Sequence, residues 1–300
     1  MGRKDIRIAY LLQVHKNPDQ LNKFIRQISE DGHSDVYVHI DKKSFDAVST
    51  GIIKAGNIKI VEESVDVKWG DISQVDATLC LLRGVEKSGQ KYDFVCLRSG
   101  QDLLVRNALV CYLEANKNKI FMNARKLGNA HPDAYFWKIK WPRFTRKRYD
   151  SVLHPCRILR SAFIRLYKFG INIMPNPNRL PLDPYRGSQW FCIPGIVAEY
   201  IVDYLGKNPW YYETFKNALA PDEYFFQTII MNSPYASDVV CNNLTYIRFG
   251  RSHRDNNHPV TLTMKNIPEI EKSEMFFARK FDQAVDNEVI EYFCRRCASP

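Results

Sequence analysis

The sequence predicts an α/β fold with a mostly parallel central sheet and helices on both of its faces. Short apolar runs alternate with amphipathic helical stretches along the first hundred residues, an order typical of parallel sheets. Hydrophobic residues make up 45% of the chain, which is ample for the core of one large domain. We therefore expect residues 1–300 to form one domain, with a long insertion at about 123–183 where the pattern weakens.

Four apolar runs are the predicted strands of this sheet. A helix is expected to begin after the first run at Asn17-Pro18, because proline suits the first helical position. A second helix is predicted over 72–86, where apolar residues recur at helical spacing. The predicted strands span residues 6–14, 36–40, 58–61 and 92–97.

Polar side chains follow three of these strands. His15 and Asp41 come directly after the first and second strands, and Asp102 follows the fourth. Because ligands bind beyond the carboxyl ends of parallel strands, these residues are candidates for one site. Each also has a simpler interpretation: His15 as a loop residue, Asp41 as a cap, and Asp102 as the acceptor of a bond that folds its own loop.

A carboxylate pair stands at the start of a later helix. Pro221 fits the first helical position, and Asp222 and Glu223 then lie in the first turn, where the helix dipole favours negative charge. Apolar residues at 225, 226, 229 and 230 place one face of this helix in the core. Taken alone, the pattern is more typical of an ordinary helix start than of a catalytic carboxylate.

Other ordered segments surround the carboxylate pair in the chain. Gly187 allows close backbone approach, a strand is predicted over 190–193, and Pro194 starts a helix. A short strand is expected at 245–248. The segment that follows, which contains Arg279-Lys280, shows little regular pattern.

The formal charge of +10 is concentrated in one part of the insertion. Residues 138–179 hold eleven Lys or Arg and one acid, so the remaining 258 residues are neutral. Residues 156–169 form a predicted basic amphipathic helix. A face of Phe163, Ile164, Leu166 and Phe169 could lie on an anionic membrane, although a solvated face or an acceptor-binding loop fits the pattern equally well.

Cysteine usage and hydropathy lead to an expectation about the compartment. Most of the eight cysteines lie in apolar runs and are expected to be buried and reduced. No apolar run reaches the roughly 18 residues of a membrane span, and the N-terminus does not resemble a signal peptide. We expect a cytoplasmic protein, with a peripheral position on the inner face of the cell membrane as a further expectation.

Several kinds of chemistry are disfavoured by missing motifs. The sequence contains no P-loop and no G-x-G-x-x-G, which argues against P-loop and dinucleotide chemistry. It contains no G-x-S-x-G turn of the hydrolases. It also lacks an Asp-x-Asp pair, the usual metal clamp of nucleotide-sugar enzymes, so no metal ion or other cofactor is expected.

Seven motifs in order carry a resemblance to a known family. The motifs are Ala9-Tyr10 with Val14-His15, Val38-His-Ile-Asp-Lys42, Trp69, Arg98-Ser-Gly-Gln-Asp102, Arg186-Gly-Ser-Gln-Trp190, Pro221-Asp-Glu223 and Phe277-Ala-Arg-Lys-Phe-Asp282. Single motifs are weak, but their shared order across most of the chain outside the insertion is specific. With these motifs the sequence resembles glycosyltransferase family 14, the group of core 2/I-branching β-1,6-N-acetylglucosaminyltransferases and protein xylosyltransferases.

The resemblance implies a GT-A type fold and an inverting transfer of a sugar from a UDP-sugar without a metal ion. It places the catalytic base on Glu223 and a contact to the donor diphosphate on Lys280. It places a contact to the donor nucleoside on Asp41 and a further donor contact on Val14, which His15 follows. The physical chemistry agrees, since the attacking hydroxyl needs a base and the leaving diphosphate needs positive charge.

The remaining site residues are less firmly placed. A second diphosphate contact of the family, an arginine, has no clean counterpart, and Arg248, Arg251 and Arg254 are the nearby candidates. Asp102, Trp190 and Asp222 are expected on the acceptor side or elsewhere in the cleft. The family's luminal disulfides and membrane anchor are not expected in this chain, so we expect a bacterial-type cytosolic relative.

Substrates and alternatives remain open at this stage. N-acetylglucosamine, joined in β linkage to a glycan or lipid-linked glycan during polysaccharide synthesis, is the first expectation, with xylose as the alternative. A different class, a nucleic-acid-binding protein using residues 138–179, ranks lower because the rest of the chain is neutral and carries enzyme-like motifs. An inactive sugar-binding relative ranks lower too, because the Pro221–Glu223 and Arg279-Lys280 motifs are intact.

Overall fold

A computed structural model describes residues 6–30, 32–128, 131–147, 149, 151, 153–250 and 259–298. The described residues form a seven-stranded central sheet with the order β10-β6-β9-β4-β1-β2-β3. Most neighbouring strands in this sheet are parallel, which confirms the predicted fold class. Its strands are β1 (Ile8–Val14), β2 (Ser34–Ile40), β3 (Ile58–Ile60), β4 (Phe94–Ser99), β6 (Ile120–Met122), β9 (Phe191–Pro194) and β10 (Val239–Val240).

One strand runs against the others and sits in the middle of the sheet. Strand β9 pairs antiparallel with both β4 and β6, whereas β1 pairs parallel with β2 and β4. The carboxyl ends of β1, β2 and β4, at Val14, Ile40 and Ser99, therefore meet at one edge of the sheet. Phe191, the first residue of β9, lies opposite Leu97 near the same edge. The segment before β9 is thus delivered to the edge at which the predicted site residues lie.

Helices cover both faces of the sheet, as the alternation of buried side chains along β1 shows. Tyr10 and Leu12 pack with the helices α1 and α11, while Ala9 and Leu11 pack with α3, α7 and α9 on the opposite face. The helices are α1 (Pro18–Ser29), α2 (Phe45–Ser49), α3 (Ser73–Lys87), α4 (Leu109–Ala115), α5 (Tyr135–Lys138), α6 (Pro155–Lys168), α7 (Gly195–Lys207), α8 (Pro209–Phe215), α9 (Phe225–Met231), α10 (Ile267–Lys272) and α11 (Asn287–Arg296).

Two small sheets complete the edge. In the first, β12 (Phe277–Arg279) pairs parallel with β11 (Thr245–Ile247) and antiparallel with β5 (Leu103–Leu104). In the second, β7 (Arg125–Lys126) pairs antiparallel with β8 (Tyr185–Arg186) at the base of the insertion. The expectation of little regular structure after the short strand β11 is wrong, because β12, α10 and α11 all lie there.

The insertion is folded onto the body of the protein. Helix α6 confirms the predicted basic helix, but the predicted outward face is wrong in part. Phe163 and Ile164 pack inward, whereas Phe169, directly after the helix, is exposed. Phe163 is 8% exposed and packs against Trp141 at 6.0 Å between ring centroids, and Ile164 packs against the same small cluster. Removing the Phe163 and Ile164 side chains from water stabilises the fold, which explains why they face the body of the protein.

Two further expectations are tested by the fold. Cys96 and Cys192 lie directly opposite each other on β4 and β9, with Cα atoms 4.1 Å apart, and are joined in a disulfide bond. The expectation that both are reduced is therefore wrong, because sequence spacing carries no information on which residues face each other across a sheet. None of the helices in the described residues is both long enough and apolar enough to span a membrane.

Candidate functional site

A cleft of about 900 Å³ opens beyond the carboxyl ends of the sheet strands. Most of the predicted site residues line it, namely Val14, His15, Asp41, Trp190, Asp222, Glu223 and Lys280. Two predicted residues, Asp102 and Arg248, do not belong to its wall. Arg251 lies outside the described residues, as does Arg254. The structure therefore brings together residues from widely separated parts of the chain.

Glu223 is held in place by an arginine that sequence reasoning did not select. The Arg186 guanidinium donates from Nη2 and Nε to Glu223 Oε2, at 2.7 and 3.0 Å. Arg186 also lies 3.5 Å from Asp133 and stacks over the rings of Phe136 and Tyr224. Both bonds to Glu223 end on Oε2, which leaves Oε1 to accept a proton from a third group.

Neighbouring acidic groups stabilise the protonated, positively charged form of Arg186. Burial acts to lower the pKa of Arg186, but the negative charge of Glu223, the neighbouring Tyr224 and the carboxylate of Asp133 raise it overall. A permanently charged guanidinium next to Glu223 is suited to keep that side chain oriented toward the cleft. Arg186 thus acts on the candidate base rather than on the reacting atoms.

A glycine connects this arginine to the carboxylate turn. The N–H of Gly187 donates to the carbonyl oxygen of Glu223 at 2.8 Å. A Cβ at Gly187 would overlap with the carbonyl oxygen of Asn123, so no other residue fits here without a backbone shift. The close approach expected at Gly187 from the sequence is confirmed.

Glu223 lies in a short 3-10 helix rather than in the α-helix itself. The 3-10 helix spans Pro221–Glu223, and α9 begins only at Phe225. Ala220 has a φ of 48° before this turn, and Tyr224 interrupts the helical geometry after it. The sequence predicts that the two carboxylates lie in the first turn of α9. The structure instead places them in a separate tight turn before that helix.

Asp222 is buried and tied to the sheet through glutamines. Asp222 Oδ2 accepts a bond from Gln74 Nε2 at 2.9 Å, and the same nitrogen donates to Gln189 Oε1 at 3.2 Å. Gln189 in turn donates to Gln13 Oε1 at 2.8 Å. Burial, together with the charge of Glu223, raises the pKa of Asp222 to about 8. Asp222 is therefore a structural partner of the turn, and the glutamine chain links it to β1.

The ends of β1 and β2 form the opposite wall of the cleft. The N–H of Asp41 donates to the carbonyl oxygen of Val14 at 2.8 Å, which joins the two strand ends. Asp41 also caps the following turn by accepting from the N–H of Lys43 at 3.1 Å. His15 is exposed at the mouth of the cleft, where partial burial by the walls and the charge of Lys16 lower its pKa.

Positive charge collects beside these strand ends. Arg279 stacks on the Trp190 ring, with its guanidinium carbon 4.1 Å from the ring centroid. Lys280, the next residue, also lines the cleft, and Lys16 makes an ion pair of 2.6 Å with Asp282. Three cationic side chains from two segments therefore line the same cleft, Lys16 paired with Asp282 and Arg279 beside the buried Asp102. Positive charge of this kind suits a diphosphate.

Asp102 lies behind the cleft. It is fully buried, accepts a bond from the N–H of Ser99 at 3.1 Å, and lies 3.5 Å from Arg279 Nε. The local bond to Ser99 matches the simpler interpretation of Asp102, that it folds its own loop. Burial raises the pKa of Asp102, and the charges of Arg279 and Arg98 oppose that shift. Asp102 supports Arg279 and is not placed to contact an acceptor.

Arg248 points to a different part of the surface. Its Nη1 atom lies 3.1 Å from Glu269 Oε2, and the hydroxyl of Tyr246 donates to the same carboxylate oxygen. The structure therefore does not support Arg248 as a donor contact. Arg279, the residue before Lys280, is a cation that does line the cleft.

Within the part of the chain that the structure describes, no group of three or more His, Cys, Asp or Glu side chains is arranged to hold one metal ion.

Comparison with known proteins gives consistent matches over nearly the whole chain. Residues 8–276 match a family model described as Core-2/I-Branching enzyme. Xylosyltransferase 2 of Homo sapiens is 27% identical over 97% of this chain and 34% of its own length, and that of Mus musculus is 26% identical over 97% and 34%. Xylosyltransferase 1 of Homo sapiens is 24% identical over 97% and 30%. The chain thus spans about a third of the length of these relatives.

Proposed function

The chain belongs to the Core-2/I-branching enzyme family, and from that premise we propose that it is an inverting glycosyltransferase that uses a UDP-sugar. One observation carries the proposal. A single cleft holds a fixed carboxylate, Glu223, on one side and the cationic pair Arg279 and Lys280 on another. Those are the two electrostatic requirements of sugar transfer from a nucleotide diphosphate.

The proposed reaction is one displacement at the anomeric carbon. The acceptor hydroxyl oxygen forms a bond to C1 of the sugar while the bond from C1 to the diphosphate oxygen breaks, which inverts the configuration at C1. Oε1 of Glu223 takes the hydroxyl proton, and Arg186 holds Oε2 throughout. UDP leaves with the bonding electron pair, and Lys280 and Arg279 stabilise its developing charge.

The similar proteins favour one donor sugar over the other. They are xylosyltransferases, so xylose, the alternative expected from the sequence, is better supported as the donor sugar than N-acetylglucosamine. The expected acceptor is a hydroxyl group of a glycan.

We expect UDP release from UDP-xylose to exceed that from UDP-N-acetylglucosamine when the purified chain is offered a panel of UDP-sugars. Slow donor hydrolysis is sufficient for this readout, so the acceptor need not be known. A matched measurement of thermal stabilisation by UDP separates binding from turnover. Stabilisation by UDP without release from any donor would indicate an inactive sugar-binding protein, and absence of both would contradict the proposal.

UDP release is also expected to persist in excess EDTA. In the proposed mechanism the positive charge at the leaving diphosphate comes from Lys280, Arg279 and Lys16, so no divalent ion is required. The measurement is the rate of UDP release with and without EDTA, with manganese added back as the control. Loss of activity in EDTA that manganese restores would contradict metal independence.

A further inference from the structure

Helix α6 presents an apolar line to solvent on the face opposite the one that packs inward. Ile158, Ala162 and Phe169 recur on one face of the helix, with Arg165 between them, and all four are exposed. Ile158 is 53% exposed and Phe169 is 82% exposed. A large aromatic ring in water at a helix end contributes nothing to the packing of this chain.

The exposed line continues beyond the helix. Gly170, with a φ of 84°, turns the chain, and Ile171 and Ile173 then point outward with 52% and 53% of their surface exposed. The residues between and after them hold the segment to the body of the protein. Asn172 donates to the carbonyl oxygen of Lys138 at 3.0 Å, and Met174 packs against the cluster around Trp141 and Phe163. The outward isoleucines are therefore fixed in place by their inward neighbours.

Cationic side chains are interleaved with these apolar ones. Arg165 and Lys168 are exposed between Ile158 and Phe169. They belong to the segment 138–179, which carries a net charge of +10 while the rest of the chain is neutral. Exposed apolar side chains flanked by cations are complementary to a partner that has an apolar interior and anionic groups at its surface.

We propose that this surface, the α6 patch of Ile158, Arg165, Lys168, Phe169, Ile171 and Ile173, docks on an anionic lipid bilayer. Phe169 and the isoleucines would enter the boundary between headgroups and acyl chains, and the cations would contact lipid phosphates. A second copy of the chain carries the same positive charge and would be repelled. Nucleic acid matches the charge but leaves the exposed aliphatic side chains in water.

Helix α6, which carries the patch on its outward face, reaches the cleft from its inward face. Arg160, on the inward side of α6, lies over the ring of Trp69 at 5.9 Å, and Trp69 lines the cleft. Docking through α6 would hold the cleft mouth near the bilayer. The inference rests on the proposed function and deepens it, because the acceptor class that fits such a position is a glycan attached to a lipid.

The test is flotation of the full chain with phosphatidylcholine vesicles that contain or lack phosphatidylserine. We expect flotation with the anionic vesicles at low salt, weaker flotation at high salt, and none with the neutral vesicles. The double variant Phe169→Glu/Ile171→Glu should reduce the vesicle-bound fraction by about tenfold or more, because it adds charges of the wrong sign and removes both apolar contacts. Ile196→Glu is the matched control, because Ile196 is 60% exposed on α7 outside the patch, and it should float like the unmodified chain.

Several results would overturn the inference. They are no flotation at low salt, equal loss in the Ile196→Glu control, tight binding of a single-stranded oligonucleotide without vesicle binding, or self-association that the double variant abolishes. Hydrolysis of a soluble UDP-sugar separates this inference from the proposed function. Hydrolysis without flotation by the unmodified chain defeats only the membrane inference, whereas absent hydrolysis by the unmodified chain defeats the proposed function. The double variant is expected to retain hydrolysis while it loses flotation.

Discussion

Replacing Glu223 with glutamine is expected to lower the rate of sugar transfer by about a hundred- to ten-thousand-fold, the range typical for loss of a general base. Glutamine has the size of glutamate and can still accept the bonds from Arg186 through its amide oxygen. It cannot take a proton at neutral pH. The affinity for the UDP-sugar should stay nearly unchanged, because the base faces the acceptor hydroxyl rather than the diphosphate. The measurements are UDP release under saturating donor and calorimetric binding of UDP.

Two neighbouring carboxylates provide control variants for Glu223→Gln. Asp133→Asn removes the other carboxylate beside Arg186 and should affect the rate far less, because the two bonds to Glu223 remain. Asp222→Asn should change the rate less than Glu223→Gln and should act mainly on stability, because Asp222 is buried and bonded to Gln74. A Glu223→Gln enzyme with near wild-type turnover would place the base elsewhere. Asp102 could not replace it, since it is fully buried behind Arg279.

Replacing Arg279 with leucine is expected to lower the free energy of unfolding by about 3–5 kcal/mol, the usual cost of leaving one partner of a buried ion pair behind. Arg279 lies against the buried carboxylate of Asp102 and covers the ring of Trp190. Leucine fills part of the volume but leaves Asp102 without that charge. Urea unfolding followed by intrinsic fluorescence measures the change.

The neighbouring residue provides the matched comparison. Lys280→Ala should weaken UDP binding by roughly ten- to a hundred-fold, the cost of one hydrogen bond to a charged group, with little change in stability. Adding Asp102→Asn to Arg279→Leu should recover part of the lost stability, because it removes a buried carboxylate that then has only Arg98 as a counter-charge. Unchanged stability of Arg279→Leu, or equal loss of stability in Lys280→Ala, would contradict the structural role that Arg279 has beside Asp102 in addition to its proposed part at the diphosphate.

The parts of the site that follow parallel strands were predictable from the sequence. Buried apolar runs marked β1 and β2, and a general rule of parallel sheets placed His15 and Asp41 at the same edge. The same rule was misleading for Asp102, because a local bond to the N–H of Ser99 turns that side chain inward. Hydropathy reports where a strand ends but not where the next polar side chain points.

The residues that were missed depend on contacts between distant segments. Arg186 precedes an antiparallel strand, and a rule based on strand ends takes no account of residues that lead into one. Its signal was its place in the Arg186–Trp190 motif. Gln13, Gln74 and Gln189 are common polar residues, and only the fold shows that they form a chain to Asp222. The pairing of Cys96 with Cys192 is likewise a product of the register of β4 and β9.

The central position of β9 has a consequence for the newly made protein. Leu97 of β4 pairs with Phe191 of β9, which lies 94 positions later in the chain and is therefore synthesised later. At roughly 5–20 residues per second, synthesis of that interval takes on the order of 5–20 s. During this time the apolar strand Phe94–Ser99 is an open edge that can pair with another chain. This topology therefore favours aggregation during synthesis. Slower translation of the basic insertion would lengthen the time for which the edge of β4 is unpaired.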